Sequence, residues 1–243
     1  MPFVVYGLYM LIAQNIAEIR ERMDAAAERA GRNPQDVTLI AVSKTFPPEP
    51  IREAYTAGIR KFGENRVQEF GDKLASLRDL QDAEWHMIGH LQTNKALKAA
   101  ELFTAIDSVD SLRLAQKLND AAEQIGERLG VLIEINVGGE TAKSGLPFDS
   151  PELEALLRAA PQLEHLEFRG LMTVPPFFED PQQARPYFRK LRELRDRIAA
   201  QKLPKINMDV LSMGMSHDFE IAIEEGSTCV RIGTAIFGER ASH

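Results

Sequence analysis

Short apolar runs alternate with amphipathic stretches along the whole chain, and that alternation restricts the fold more than any other feature. Strand patterns fall at 37–43, 60–63, 84–89, 103–107, 130–137, 166–173, 208–212 and 229–232. Helical patterns lie between them at 49–57, 65–78, 93–101, 111–128, 151–159, 181–201 and 217–225. A longer helix, at 12–30, precedes the first strand and ends at Gly31-Arg32-Asn33-Pro34. Eight strands joined by helices, without repeated hairpin turns, call for parallel pairing. A chain of 243 residues suits an α/β fold built as a single (β/α)8 TIM barrel with an extra N-terminal helix. A doubly wound open sheet is the competing architecture. No Gly/Ser/Pro linker divides the chain, so one domain is expected over 10–243.

The first dozen residues, Met1 to Ile12, are apolar. They lack the basic start and cleavage site of a signal peptide and are too short to span a bilayer. Residues 1–9 therefore read as a loosely ordered apolar extension. Cys229 is the only cysteine, which rules out an intrachain disulfide and suits a reducing, cytoplasmic setting. A net charge of -7 argues against a nucleic-acid partner but leaves room for a local phosphate pocket. No membrane partner is expected. No long apolar helix face marks an obligate interface, so a monomer is expected.

In a parallel barrel the residues just after each strand build the functional face. Here they are unusually polar: Ser43-Lys44-Thr45, Gly63-Glu64-Asn65-Arg66, Trp85-His86 leading to Gly89-His90, Asp107-Ser108-Val109-Asp110, Asn136, and Met172-Thr173. Lys44 closes the apolar run Val37 to Ser43, where burial without a partner would depress its pKa and make it a nucleophile toward carbonyls. Its plain alternative is a solvated lysine at a strand end.

The seventh strand runs into Ser212-Met213-Gly214-Met215-Ser216-His217-Asp218 and the eighth into Arg231-Ile232-Gly233-Thr234. Loops in these two places commonly hold a phosphate through backbone N–H groups. Gly214 and Gly233 permit close backbone approach, and the hydroxyls of Ser216 and Thr234 can donate to phosphate oxygens. The plain reading makes Ser216 a helix cap and the glycines turn residues. Arg231 either pairs with a carboxylate such as Glu64 or Asp107, or faces a ring nitrogen. The five histidines lack the spacing of a structural zinc site, and no metal is expected.

The segments Ala41-Val42-Ser43-Lys44-Thr45, Phe62-Gly63-Glu64-Asn65-Arg66-Val67-Gln68-Glu69 and Trp85-His86-Met87-Ile88-Gly89-His90-Leu91-Gln92-Thr93-Asn94-Lys95 resemble the pyridoxal phosphate homeostasis proteins. So do Gly170-Leu171-Met172-Thr173-Val174-Pro175 and the stretch from Leu211 to Gly238. The matches run in family order from about Met10 onward. The resemblance implies a barrel similar to the N-terminal domain of alanine racemase, with pyridoxal 5'-phosphate held as a Schiff base on Lys44. It also implies phosphate contacts from Ser212, Ser216, Gly233 and Thr234, Arg231 at the ring nitrogen, and Asn65 near the ring. Lys143 matches a lysine implicated as a secondary cofactor contact, and is equally readable as a loop lysine. Phe46 stands where the family often has a second lysine.

Two functions follow from the resemblance. One is a cofactor carrier serving pyridoxal phosphate-dependent apo-enzymes, with no catalytic residues. The other is a weak amino-acid racemase, which needs acid–base groups on both faces of the cofactor. The chain is expected to lack the extra β-domain that supplies alanine racemase with its opposing tyrosine. Its own tyrosines (6, 9, 55 and 187) lie in the N-terminal stretch or in predicted helices. A third reading, an aldolase-like enzyme joining Lys44 to a sugar phosphate, predicts a colourless protein.

Overall fold

A computed structural model describes residues 3–140 and 143–239. The strands are β1 (Thr38–Val42), β2 (Lys61–Glu64), β3 (Glu84–Met87), β4 (Ala105–Val109), β5 (Leu129–Asn136), β6 (Leu146–Pro147), β7 (Leu166–Met172), β8 (Ile206–Ser212) and β9 (Cys229–Ile232). The α-helices are α1 (Phe3–Arg29), α2 (Pro48–Thr56), α3 (Val67–Leu74), α4 (Ala96–Leu102), α5 (Leu112–Ile125), α6 (Pro151–Ala159), α7 (Arg185–Ala200), α8 (Phe219–Glu224) and α9 (Thr234–Phe237).

All strand pairs are parallel, in the order β4-β3-β2-β1-β9-β8-β7-β5, and pairing of β4 with β5 closes the ring. The expected eight-stranded barrel is therefore present. The two-residue β6, paired with β5 outside that ring, had no signal because it is short and ends in proline. The fourth strand starts at Ala105 rather than 103, since Phe103 is spent closing α4 and packing on Phe70.

Period-two alternation sends one set of side chains into the barrel and the other toward the helices. On β1 the inward set is Thr38, Ile40 and Val42, and Lys44 continues it beyond the strand. Trp85 points outward, against Phe62 and Phe70. Helix starts and stops follow local chemistry. Ser111 and Ser150 accept hydrogen bonds from Leu114 and Leu153 N–H at the starts of α5 and α6. Gly170 marks a close backbone approach: a Cβ there would lie 1.7 Å from the Val210 carbonyl oxygen.

Because α9 has only one turn, α1 takes the place of a final barrel helix. Ile12, Ile16, Ile19, Met23, Ala26 and Ala27 form its buried stripe. Asn15 Nδ2 donates to the Ile236 carbonyl at 2.9 Å, and Arg22 and Arg29 pair with Glu220 and Glu224. The helix begins at Phe3, so residues 3–9 of the apolar extension are helical. Periodicity could not place that start, because a uniformly apolar stretch has no stripe. Residues 1 and 2 lie outside the described residues. Among the described residues, no helix is long and apolar enough to cross a membrane.

Candidate functional site

A cavity of about 590 Å³ opens at the carboxyl ends of the strands. Six of the eight residues singled out in the sequence line it: Lys44, Asn65, Ser216, Arg231, Gly233 and Thr234. Ser212 and Gly214 do not, and each has a different task beneath it.

Lys44 projects from a tight turn after β1. Phe46 N–H donates to the Ser43 carbonyl at 3.1 Å, and Thr45 takes a left-handed φ of 68°. What braces this turn carries no motif of its own. Lys73, on α3 and 9 % exposed, places its ammonium 2.8 Å from Glu64 Oε1 and donates to the carbonyls of Ser43 (3.1 Å) and Phe46 (3.3 Å). Ser43 Oγ donates to Glu64 at 2.7 Å, and Thr45 N–H donates to Glu69 at 2.5 Å. Burial pushes the Glu64 carboxyl above its ordinary value, while Lys73 and Ser43 pull the other way.

Asn65 follows β2 and sits where the next loop comes close. A Cβ on Gly89 would stand 2.6 Å from the Asn65 carbonyl oxygen, so only glycine fits there.

Arg231 is 3 % exposed and reaches up from β9. Its Nη1 donates to Ser212 Oγ at 2.6 Å and its Nη2 to the Thr173 carbonyl at 2.7 Å. Glu64 and Asp107, offered as its partners, are engaged by Lys73 and His86 instead. Burial pulls the guanidinium pKa down, opposed by Cys229, Asp107, Glu134 and Asp218, and the group stays cationic. Ser212 is thus a buried seat for Arg231.

Gly214 has φ 98°, and a Cβ on it would lie 2.6 Å from that of Ala222. Its carbonyl accepts from Arg231 N–H at 3.0 Å, which ties the two carboxyl-end loops together. Asp218 Oδ1 accepts from Met215 N–H at 2.7 Å, and Ser216 Oγ accepts from Ala235 N–H at 3.4 Å. These bonds set Ser216 beside Gly233 and Thr234 at the start of α9.

The rim holds groups that motif reading passed over. Glu134, on β5, lines the cavity, with its Oε1 accepting from Ser144 Oγ at 2.9 Å. A lone acid inside the apolar run of β5 was the available signal. His90 meets Asp110 at 2.9 Å, and Lys143 pairs with Glu140 at 2.9 Å and donates to the Pro175 carbonyl at 3.3 Å. Thr141 and Ala142 of that loop lie outside the described residues. Phe177, 76 % exposed, packs against His217 at the mouth, the ring centroids 5.5 Å apart and the planes tilted by 34°.

His86 and Asp107 belong elsewhere, although strand-end reading put them on the functional face. They meet at 3.1 Å in a second cavity, of about 250 Å³, near the amino ends of the strands. Cys229 shares that lower cavity, its thiol pushed up to about 12 by burial and, secondarily, by Asp107. Function in barrels of this type collects at the opposite end. Among the described residues, no three potential metal ligands of the His/Cys/Asp/Glu kind come together.

The upper cavity therefore joins an amine, a buried guanidinium and a loop pair rich in hydroxyl and N–H donors. That donor set suits an anionic carbonyl compound, with the anion at Ser216, Gly233 and Thr234 and the carbonyl at Lys44.

Comparison with known proteins gives a consistent result. The sequence model of the alanine racemase N-terminal domain matches residues 14–241. A pyridoxal phosphate homeostasis protein of Aquifex aeolicus is 48% identical over 231 residues, covering 95% of this chain and 99% of that protein. Its counterpart in Escherichia coli K12 is 46% identical over 232 residues, covering 94% and 97%. The structure of PipY from Synechococcus elongatus PCC7942 with PLP bound superposes with a TM-score of 0.80 at 39% identity, covering 93% of this chain and 100% of that one.

Proposed function

The chain belongs to the alanine racemase N-terminal domain family and, within it, to the pyridoxal phosphate homeostasis proteins, and from that footing we propose that it binds pyridoxal 5'-phosphate in the upper cavity and acts as a cytoplasmic carrier that buffers and delivers the cofactor. The observation that carries this reading is the opening of Lys44 and the Ser216–Gly233–Thr234 donor cluster onto one cavity. When bound, the cofactor would supply an aldehyde that the Lys44 amine could hold as a Schiff base, the carbonyl oxygen leaving as water.

The chain's own residues do the rest. The hydroxyls of Ser216 and Thr234 and the N–H groups beside Gly233 take the phosphate. Ser212 and Gly214 act indirectly, the first by seating Arg231 and the second by permitting the loop's turn. Asn65 borders the ring. Arg231 can only donate a hydrogen bond, so at the ring nitrogen it favours the unprotonated pyridine. That weakens the cofactor as an electron sink and suits holding better than turnover. Lys143 lines the cavity, which supports a secondary contact from it.

The racemase alternative is supported less well. Tyr55 donates to Asp82 on the outer surface, and Tyr187 stacks on Phe178. Neither lines the cavity. We take the protein to be a monomer whose partners are pyridoxal phosphate and the apo-enzymes that receive it. The test is to add pyridoxal phosphate to cofactor-free protein and record its absorbance, then assay alanine racemisation and transfer to an apo-enzyme. The carrier reading predicts a bound chromophore, transfer, and negligible racemisation. Robust racemisation would replace it with the catalytic reading, and failure to take up the cofactor would restore the sugar-phosphate one.

A further inference from the structure

Glu134 has no part in holding the cofactor as set out above, yet its carboxyl is 5 % exposed and lines the same cavity. Alternation along β5, with Leu132 lining the lower cavity and Glu134 the upper one, turns it inward. Oε1 is satisfied by Ser144, but Oε2 is buried without a hydrogen-bond partner among the described residues. A buried carboxylate oxygen left without a donor is unfavourable, so such an atom facing a cavity points to a ligand.

The charges around it indicate which ligand. Asp110 faces it from the end of β4, His90 from the loop after β3 and Arg231 from β9. Lys44 from the turn after β1, Lys143 from the β5–β6 loop and His217 from the loop after β8 line the same cavity. Burial holds the Glu134 carboxyl above its ordinary value, with Asp110 adding to the rise and Ser144, Arg231 and His90 opposing it. An anionic ligand is served at the other wall, by Ser216, Gly233 and Thr234. The wall carrying Glu134 and Asp110 favours a cation that donates hydrogen bonds.

We propose that Glu134 is the binding residue for a primary ammonium group, so that the cavity admits a small amine beside the cofactor. The inference rests on the upper cavity being the cofactor site, and it deepens that reading by naming the class of second ligand. A primary ammonium carries three donors and fits an acceptor-only carboxylate. Binding requires the ionised carboxylate, so affinity rises with pH through the Glu134 titration.

The test uses cofactor-free protein and ethylammonium chloride as probe, followed by calorimetry and by the ¹³C signal of the Glu134 carboxyl. Expected are saturable binding, a shift of that signal, and weakening by about tenfold or more in Glu134→Gln. Ser144→Ala, which removes the donor to Oε1 and so raises the carboxyl further, moves binding to higher pH without abolishing it. A Glu134→Gln unfolding temperature equal to wild type excludes a folding defect. Binding that is equal in wild type and Glu134→Gln, or absent from both, overturns the proposal. Pyridoxal phosphate uptake by the same samples is scored separately. Its failure would count against the cofactor reading, and ethylammonium binding decides the amine site.

Discussion

Replacing Lys73 with methionine keeps the apolar stem and removes the ammonium that braces the Lys44 turn. Glu64 is fully buried, and its Oε1 lies 2.8 Å from the Lys73 ammonium, so the variant leaves a buried carboxyl without its cation. Breaking a buried pair in this way costs about 3–5 kcal/mol. Glu64 can escape part of that cost by taking up a proton, which makes the loss depend on pH. Its folded-state pKa is already raised, by burial first. Removing Lys73 raises it further. A raised carboxyl pKa contributes stability that is present at low pH and lost as pH rises through the folded value. The deficit of Lys73→Met is therefore largest near about pH 8 and shrinks as pH falls toward the raised value. Urea unfolding of both proteins across this range measures it. A melting temperature lowered by about 6–12 °C corresponds to a loss of about 3 kcal/mol at this chain length. Adding Glu64→Gln to Lys73→Met should recover part of the loss, since the buried charge is then gone. A deficit below about 1 kcal/mol at the higher pH, or one that does not change with pH, would show that Lys73 does not compensate a buried Glu64 charge.

Three further outcomes are expected. Lys44→Ala abolishes covalent cofactor attachment while shifting urea-derived stability by no more than about 0.5 kcal/mol, because the side chain is only partly buried at a cavity wall; global unfolding of the variant would show a structural role instead. Gly170→Ala costs about 3 kcal/mol or more, since its Cβ would overlap the Val210 carbonyl 1.7 Å away; a near-native melting temperature would show that β7 and β8 can separate freely. Cys229, its thiol pushed up to about 12, stays unlabelled by N-ethylmaleimide in the native state and reacts once the chain is unfolded; rapid native labelling would contradict its burial.

The barrel was legible because its signal is periodic and repeated. Each strand is a short apolar run, each intervening helix has a stripe, and the chain length favours a closed ring over the doubly wound sheet that the same pattern also allows. The two loops proposed to take the phosphate, and Lys44, were legible for a related reason, since position after a strand fixes the face on which a residue emerges. The same rule misplaced His86 and Asp107, because it does not separate residues within a strand from those just past it. Ser212 shows the limit at finer scale. It lies at the end of β8, yet its hydroxyl serves Arg231 beneath the cavity. Lys73 and Glu134 were hidden by context. One sits in an ordinary-looking amphipathic helix, and the other in a strand whose lone acid acquires meaning only when the opposite wall of the barrel is in view.

Borohydride reduction of protein loaded with pyridoxal phosphate, followed by peptide mass spectrometry, decides whether Lys44 anchors the cofactor. Expected is a yellow protein that loses its colour on reduction and carries one phosphopyridoxyl group, on Lys44. An adduct confined to Lys143 or to surface lysines, or a protein that stays colourless with excess cofactor, would contradict it.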